Sequence, residues 1–162
     1  MYSNLSAANA DRLCRQTLHV LHKAIKKIAA TDPLVGHYTQ YAIIVCSGAL
    51  ERSFKAIISD YVAKGAISPI ANYIDKTIRR ASSNPSVYAI RKVLDLFDMG
   101  WGKKFEDNVK MLPEKNRHAL GSIVGHRNSI AHGNQVTISL GNVFIYYYRA
   151  RVIIRELESI LC

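Results

Sequence analysis

From about Val35 to Lys64 the apolar residues Ile43, Cys46, Leu50, Phe54, Ile57 and Tyr61 recur at intervals of three and four, and Gly65 follows as a stop. That period predicts a long amphipathic helix closed by a glycine C-cap. It commits the chain to a helical architecture. Most of the remaining sequence keeps the same rhythm. Leu13, Thr17, Val20, Leu21, Ala24, Ile25 and Ile28 predict a first helix from near Asn4 that ends before Pro33, with Arg12, Arg15, Lys23, Lys26 and Lys27 at the other positions. Shorter helices are predicted over about 70–81, 85–97 and 102–111, the middle one with Asn84 and Pro85 as its N-cap and N1 residues. Pro113 opens another long helix through Ala119, Leu120, Ile123, Val124 and Ile130 to His132, where Gly133 and Asn134 break it. Gln135 to Ser139 reads as extended and too short to build a sheet. Ser139 then caps a last helix along Val143, Tyr147, Ala150, Ile154, Leu157 and Leu161. The expectation is an all-α, up-and-down helical bundle with short inserted helices, one domain over residues 1–162.

Charge narrows the choice of partner. Lysine and arginine number 22 against 12 acidic residues, a formal net charge of +10. Such an excess favours a polyanion, nucleic acid before an anionic membrane surface. With 49% hydrophobic and 21% charged residues, the composition is globular rather than disordered. No run approaches the ~18 apolar residues of a membrane span. The opening MYSNLSAANADR lacks the basic-then-apolar pattern of a signal peptide. Cys14, Cys46 and Cys162 form no closely spaced metal motif, and an odd, sparse set suits reduced thiols. A cytoplasmic protein with no membrane partner is expected.

The segment Arg127-Asn128-Ser129-Ile130-Ala131-His132, followed by Gly133, places a phosphate-binding cation and a proton-transfer group at one helix terminus. RNA carries its own nucleophile, the 2′-OH. Cleavage needs removal of that proton, stabilisation of charge on the phosphorane, and protonation of the departing 5′ oxygen. Histidine serves as base or acid near neutral pH. Arginine offers a planar fork matched to two phosphate oxygens. The Asn128 amide both donates and accepts, so it can orient the phosphate or the histidine. On a helix, positions 127 and 132 diverge by about 140° and lie about 7.5 Å apart along the axis, whereas 128 and 132 differ by only about 40°. One Arg–His pair is therefore no obvious intrachain dyad. A two-fold dimer uniting two such helices would present two His, two Arg and two Asn to one phosphate.

The segment GHRNSIAHGNQVTISL resembles the signature of the HEPN superfamily, small all-helical domains in which an R-x-x-x-x-H motif marks many members as ribonucleases. Ser47-Gly48-Ala49-Leu50-Glu51-Arg52-Ser53-Phe54-Lys55 is similar to the acidic-basic second helix of the same group. The resemblance is nearest to the RiboL-PSP type. It implies a homodimeric, metal-independent endoribonuclease that leaves 2′,3′-cyclic phosphate and 5′-hydroxyl ends, in a toxin-like or phage-defence system with an antitoxin or a fused defence partner. Arg127, Asn128 and His132 are then the catalytic candidates. Some family toxins carry a tyrosine two residues after the histidine, linked to neutralisation by a partner nucleotidyltransferase; Asn134 stands there in this chain. The rival expectation is a non-catalytic HEPN module that binds RNA or a protein.

Glu51 has two readings: a bond to Arg127 or Asn128 that supports the site, or a helix-surface pair with Lys55 at i+4. His126, Lys55 and Arg52 are candidates for RNA contact. His19, His22, His37 and His118 are expected to be structural or solvent-facing. Tyr146, Tyr147 and Tyr148 beside Arg149 and Arg151 resemble a base-stacking platform, though consecutive helical positions diverge and core or dimer packing fits them better. The doublets Arg79-Arg80, Arg91-Lys92 and Lys103-Lys104 read as solvated faces, with an RNA track as the alternative. No acidic residue falls between Glu114 and Glu156, so the clustered carboxylates of a two-metal nuclease are missing around the motif. No metal and no cofactor are expected.

Overall fold

The computed structural model describes residues 2–161; Cys162 lies outside them. Seven α-helices follow in order: α1 Leu5–Ile25, α2 Pro33–Val62, α3 Ser68–Ile74, α4 Val87–Asp95, α5 Met99–Met111, α6 Glu114–Ala131 and α7 Leu140–Leu161, with a π-helical turn at Asp75–Arg79 extending α3. No strand occurs among the described residues.

Short polar side chains set most of the helix starts, because the first N–H groups of a helix have no internal partner. Asn4 Oδ1 accepts from Ala7 N at 2.9 Å, Asp32 Oδ1 from Leu34 N at 2.8 Å, and Ser139 Oγ from Asn142 N at 3.1 Å. The cap of α4 is Ser86, whose Oγ accepts from Ala89 N at 3.1 Å, rather than Asn84. Pro85 is buried just ahead of that cap. Asn84 is thereby released from capping and bonds elsewhere.

The long helices α1, α2, α6 and α7 surround the core, with α4 and α5 packed on each other and α5 on α7. Helix α1 is antiparallel to α2: Asn4 Nδ2 reaches Asp60 at 2.8 Å, and the Cys14 and Cys46 sulfurs lie 3.8 Å apart. It is also antiparallel to α7, since Asn4 N donates to Glu158 at 2.6 Å while His22 meets Phe144 edge-on. Phe54, Phe105, Leu18, Ile57, Ile90, Leu120, Ile123, Tyr147 and Ile154 are among the buried side chains of one contiguous core.

The buried stripe of α2 runs as predicted through Ile43, Cys46, Leu50, Phe54 and Ile57, but Tyr61 is exposed. Helix α1 departs further. It stops at Ile25, and its inward face is Ala7, Ala10, Asp11, Cys14, Leu18 and Leu21, whereas Leu13 and Val20 are exposed. A buried carboxylate explains the misreading. Asp11 accepts from Arg151 Nη2 at 2.7 Å and from Tyr147 Oη at 3.0 Å, partners 140 and 136 residues away. Charges are buried when such partners compensate them, and no local pattern announces partners so distant.

Candidate functional site

Helix α6 ends in a Schellman turn. Gly133 adopts φ +77° and donates its N–H to Ile130 O at 3.0 Å, while the Asn134 N–H reaches Ser129 O at 2.9 Å. Left-handed backbone favours glycine at that position. His132 is the C-cap residue; its N–H bonds Asn128 O at 3.1 Å. The His132 side chain is exposed, and Arg127 and Asn128 are half-buried. One helical turn separates Asn128 from His132, so both belong to one face. Arg127 Nη1 lies 3.5 Å from Asn128 Oδ1. Arg127 and Asn128 are thus joined directly, and no hydrogen bond links the His132 ring to either among the described residues.

Glu51 reaches this group through an intermediary. Its Oε1 accepts from Lys55 Nζ and from the Ser83 N–H, the latter at 3.0 Å. Lys55 also donates to the Ala81 carbonyl. One residue beyond Ser83, Asn84 Nδ2 donates to Asn128 Oδ1 at 3.0 Å. The Glu51–Lys55 pair therefore lies under the segment that joins the π-helical turn to α4, with the Lys55 side chain only 7% exposed. It is an anchor for that segment and not a solvated surface pair. Asn84 is the residue that sequence reasoning missed. Its one sequence signal, a polar side chain before a proline, reads equally well as a cap.

Two of the other candidates, Arg52 and Lys55, share one cleft. Arg52 is exposed and lines this cleft of ≈ 390 Å³ with Leu13, Asn9, Lys55 and Arg79. His37, expected to be structural or solvent-facing, lines a second cleft of ≈ 300 Å³ with Pro33, Gly36, Gln40, Gln135 and Val136, beside the loop that follows the motif. The packing of both α6 and α7 on α2 brings residue 37 to residue 135. His126 is half-buried on α6. The three consecutive tyrosines diverge: Tyr147 is buried on Asp11, Tyr148 is exposed, and Tyr146 meets His118 edge-on at 5.9 Å. Arg79 pairs with Asp60 and Asp75, Arg80 with Asp75, and Arg91 with Asp95 and Glu106. No group of three His, Cys, Asp or Glu side chains is placed to hold a metal among the described residues. No helix is long and apolar enough to cross a membrane.

The described residues form an all-helical bundle whose penultimate helix ends in the Arg127–His132 segment. The RiboL-PSP-HEPN family model matches residues 14–162, and the chain belongs to that family of HEPN domains. A search of curated proteins gives no match. A search of solved structures gives none either.

Proposed function

We propose that this chain is a metal-independent endoribonuclease that acts as a homodimer. In this reading, two α6 termini related by a two-fold axis share one RNA strand. One His132 takes the 2′-OH proton, and the other returns a proton to the departing 5′ oxygen. The 2′ oxygen bonds to phosphorus as the P–O5′ bond breaks, leaving a 2′,3′-cyclic phosphate and a 5′-hydroxyl. The two Arg127 side chains hold the phosphoryl oxygens as charge accumulates on them. The observation that carries the reading is the exposed His132 one turn from Asn128, whose amide is engaged by Arg127.

Exposed apolar residues support a second copy. Leu34, Tyr41 and Ile44 are 46%, 52% and 47% exposed on the half of α2 that borders the His37 cleft. A cytoplasmic setting, argued from the sparse cysteines, completes the proposal; the toxin-like or phage-defence system with an antitoxin or fused partner rests on family membership alone.

The decisive experiment is cleavage of single-stranded RNA in EDTA by the wild type and His132→Ala. Wild type should cut, a 2′-deoxy nucleotide at the cleaved linkage should block cutting, and the variant should retain fold and dimer but lose activity by at least about 100-fold. Cutting that survives His132→Ala would reject the role of this histidine. RNA binding without cleavage, equal in both proteins, would favour a non-catalytic module. Light scattering should give a two-chain mass, and Ile44→Asp should yield an inactive monomer.

A further inference from the structure

Asn84 and Asn128 are 44 residues apart, yet their amides are bonded, with Asn84 Nδ2 donating to Asn128 Oδ1 at 3.0 Å. Arg127 Nη1 approaches the same oxygen at 3.5 Å. A guanidinium has donors and no acceptor. The Asn128 atom it faces must therefore be oxygen, and the Asn84 atom facing that oxygen must be an NH2 group. The contacts together fix the orientation of both amides, which an isolated asparagine leaves open.

The consequence falls on the other half of Asn128. No described group accepts a hydrogen bond from its Nδ2. That atom is also absent from the buried, unpartnered polar atoms, which are Ser59 Oγ and Arg151 Nε. It is a donor without a partner among the described residues, on a half-buried side chain of the helix face that carries His132. Asn84 is itself held on both sides: Lys55 binds Ala81 O, Glu51 binds the Ser83 N–H, Pro85 is buried, and Ser86 caps α4.

We infer that Asn84 is a positioning residue that turns the Asn128 amide so that its NH2 group, and not its carbonyl, faces an RNA phosphate. The inference rests on the ribonuclease reading and assigns Asn128 the part of phosphate donor. A phosphate oxygen only accepts, so reversing the amide replaces an attraction by a lone-pair repulsion.

The test is a double-mutant cycle. Asn84→Ala should lower kcat/KM about 5-fold, the worth of one fixed hydrogen bond. Asn84→Asp should lower it further, at least about 20-fold, because a carboxylate only accepts and draws the Asn128 NH2 inward. In an Asn128→Ala background Asn84→Ala should add nothing to the loss, and Asn84→Asp should add clearly less than it does beside Asn128. A new carboxylate repels RNA in both backgrounds, so the difference between the two losses is free of that repulsion. Thermal melts report whether each variant is folded. A merely structural Asn84 predicts equal losses in both backgrounds, and that result overturns the inference, as does an Asn84→Asp enzyme more active than Asn84→Ala.

A second readout needs no cleavage. Inorganic phosphate should shift the side-chain amide resonances of Asn128 in 15N-labelled wild type and leave them unmoved in Asn84→Asp. Equal shifts in both, or no shift in wild type, overturn the inference. A wild type that shifts but does not cut RNA removes the ribonuclease reading and leaves the orientation of Asn128 standing.

Discussion

Asp11 shows how much one buried charge can hold. Its carboxylate joins the first helix to the last through Arg151 and Tyr147, and it also meets Arg15 at 3.1 Å on its own helix. Arg151 Nε lies 2.6 Å from Oδ1 but is out of line for a hydrogen bond, so Nη2 makes the directed contact. Removing one member of such a pair strands the other in the interior, which costs more than the pair contributes intact. Asp11→Ala should destabilise the fold by about 3 kcal/mol and lower Tm by roughly 6–12 °C, read by a thermal melt. A loss under about 1 kcal/mol would mean that water already reaches Arg151. Nothing near Asp11 in the sequence marks it as buried, since its partners enter only when α7 docks.

At the scale of elements, the loop 132–139 has two differently built ends. Gly133 closes α6 at positive φ, and Ser139 opens α7 through its Oγ. Placing a Cβ in left-handed backbone costs about 1–2 kcal/mol, and loss of a serine cap costs about 1 kcal/mol. Gly133→Ala and Ser139→Ala should therefore lower Tm by similar amounts. Their effects on RNA cutting should differ. The glycine change disturbs the turn that carries His132 and should reduce kcat severalfold, whereas Ser139→Ala should leave it near wild type. Equal losses of activity would show that His132 does not depend on the Schellman turn. Both ends were legible in the sequence, because glycine and serine act there through local backbone chemistry. The Ser86 cap was not, since Asn84 and Ser86 are both competent caps and the fold decides between them.

At the scale of the whole molecule, buried phenols set a limit at high pH. Burial pushes the Tyr147 hydroxyl far above the ordinary tyrosine value, with Cys14 and Asp11 adding to the shift, and burial does the same to Tyr2. In the unfolded chain both ionise near pH 10. The native state keeps these protons after the unfolded state has lost them, so stability is intact below about pH 10 and falls as pH rises above it. Urea midpoints at pH 7 and pH 11 should show that loss. Tyr147→Phe should start about 1 kcal/mol lower at pH 7, having lost its bond to Asp11, and should decline less steeply. An equal slope in both proteins would assign the alkaline sensitivity to other groups.

The sequence by itself determined the all-helical architecture, the long helices, the stop at Gly133 and the Arg127–Asn128–His132 run, because each depends on spacing along one chain and on short-range backbone chemistry. It also determined family membership, which residues 14–162 carry. The tertiary structure alone decided which face of α1 turns inward, that Lys55 is buried with Glu51, and that Asn84 meets Asn128. The physical reason is common to all three. A buried charge or a fixed amide is stable only beside a partner, and here the partner lies on another element.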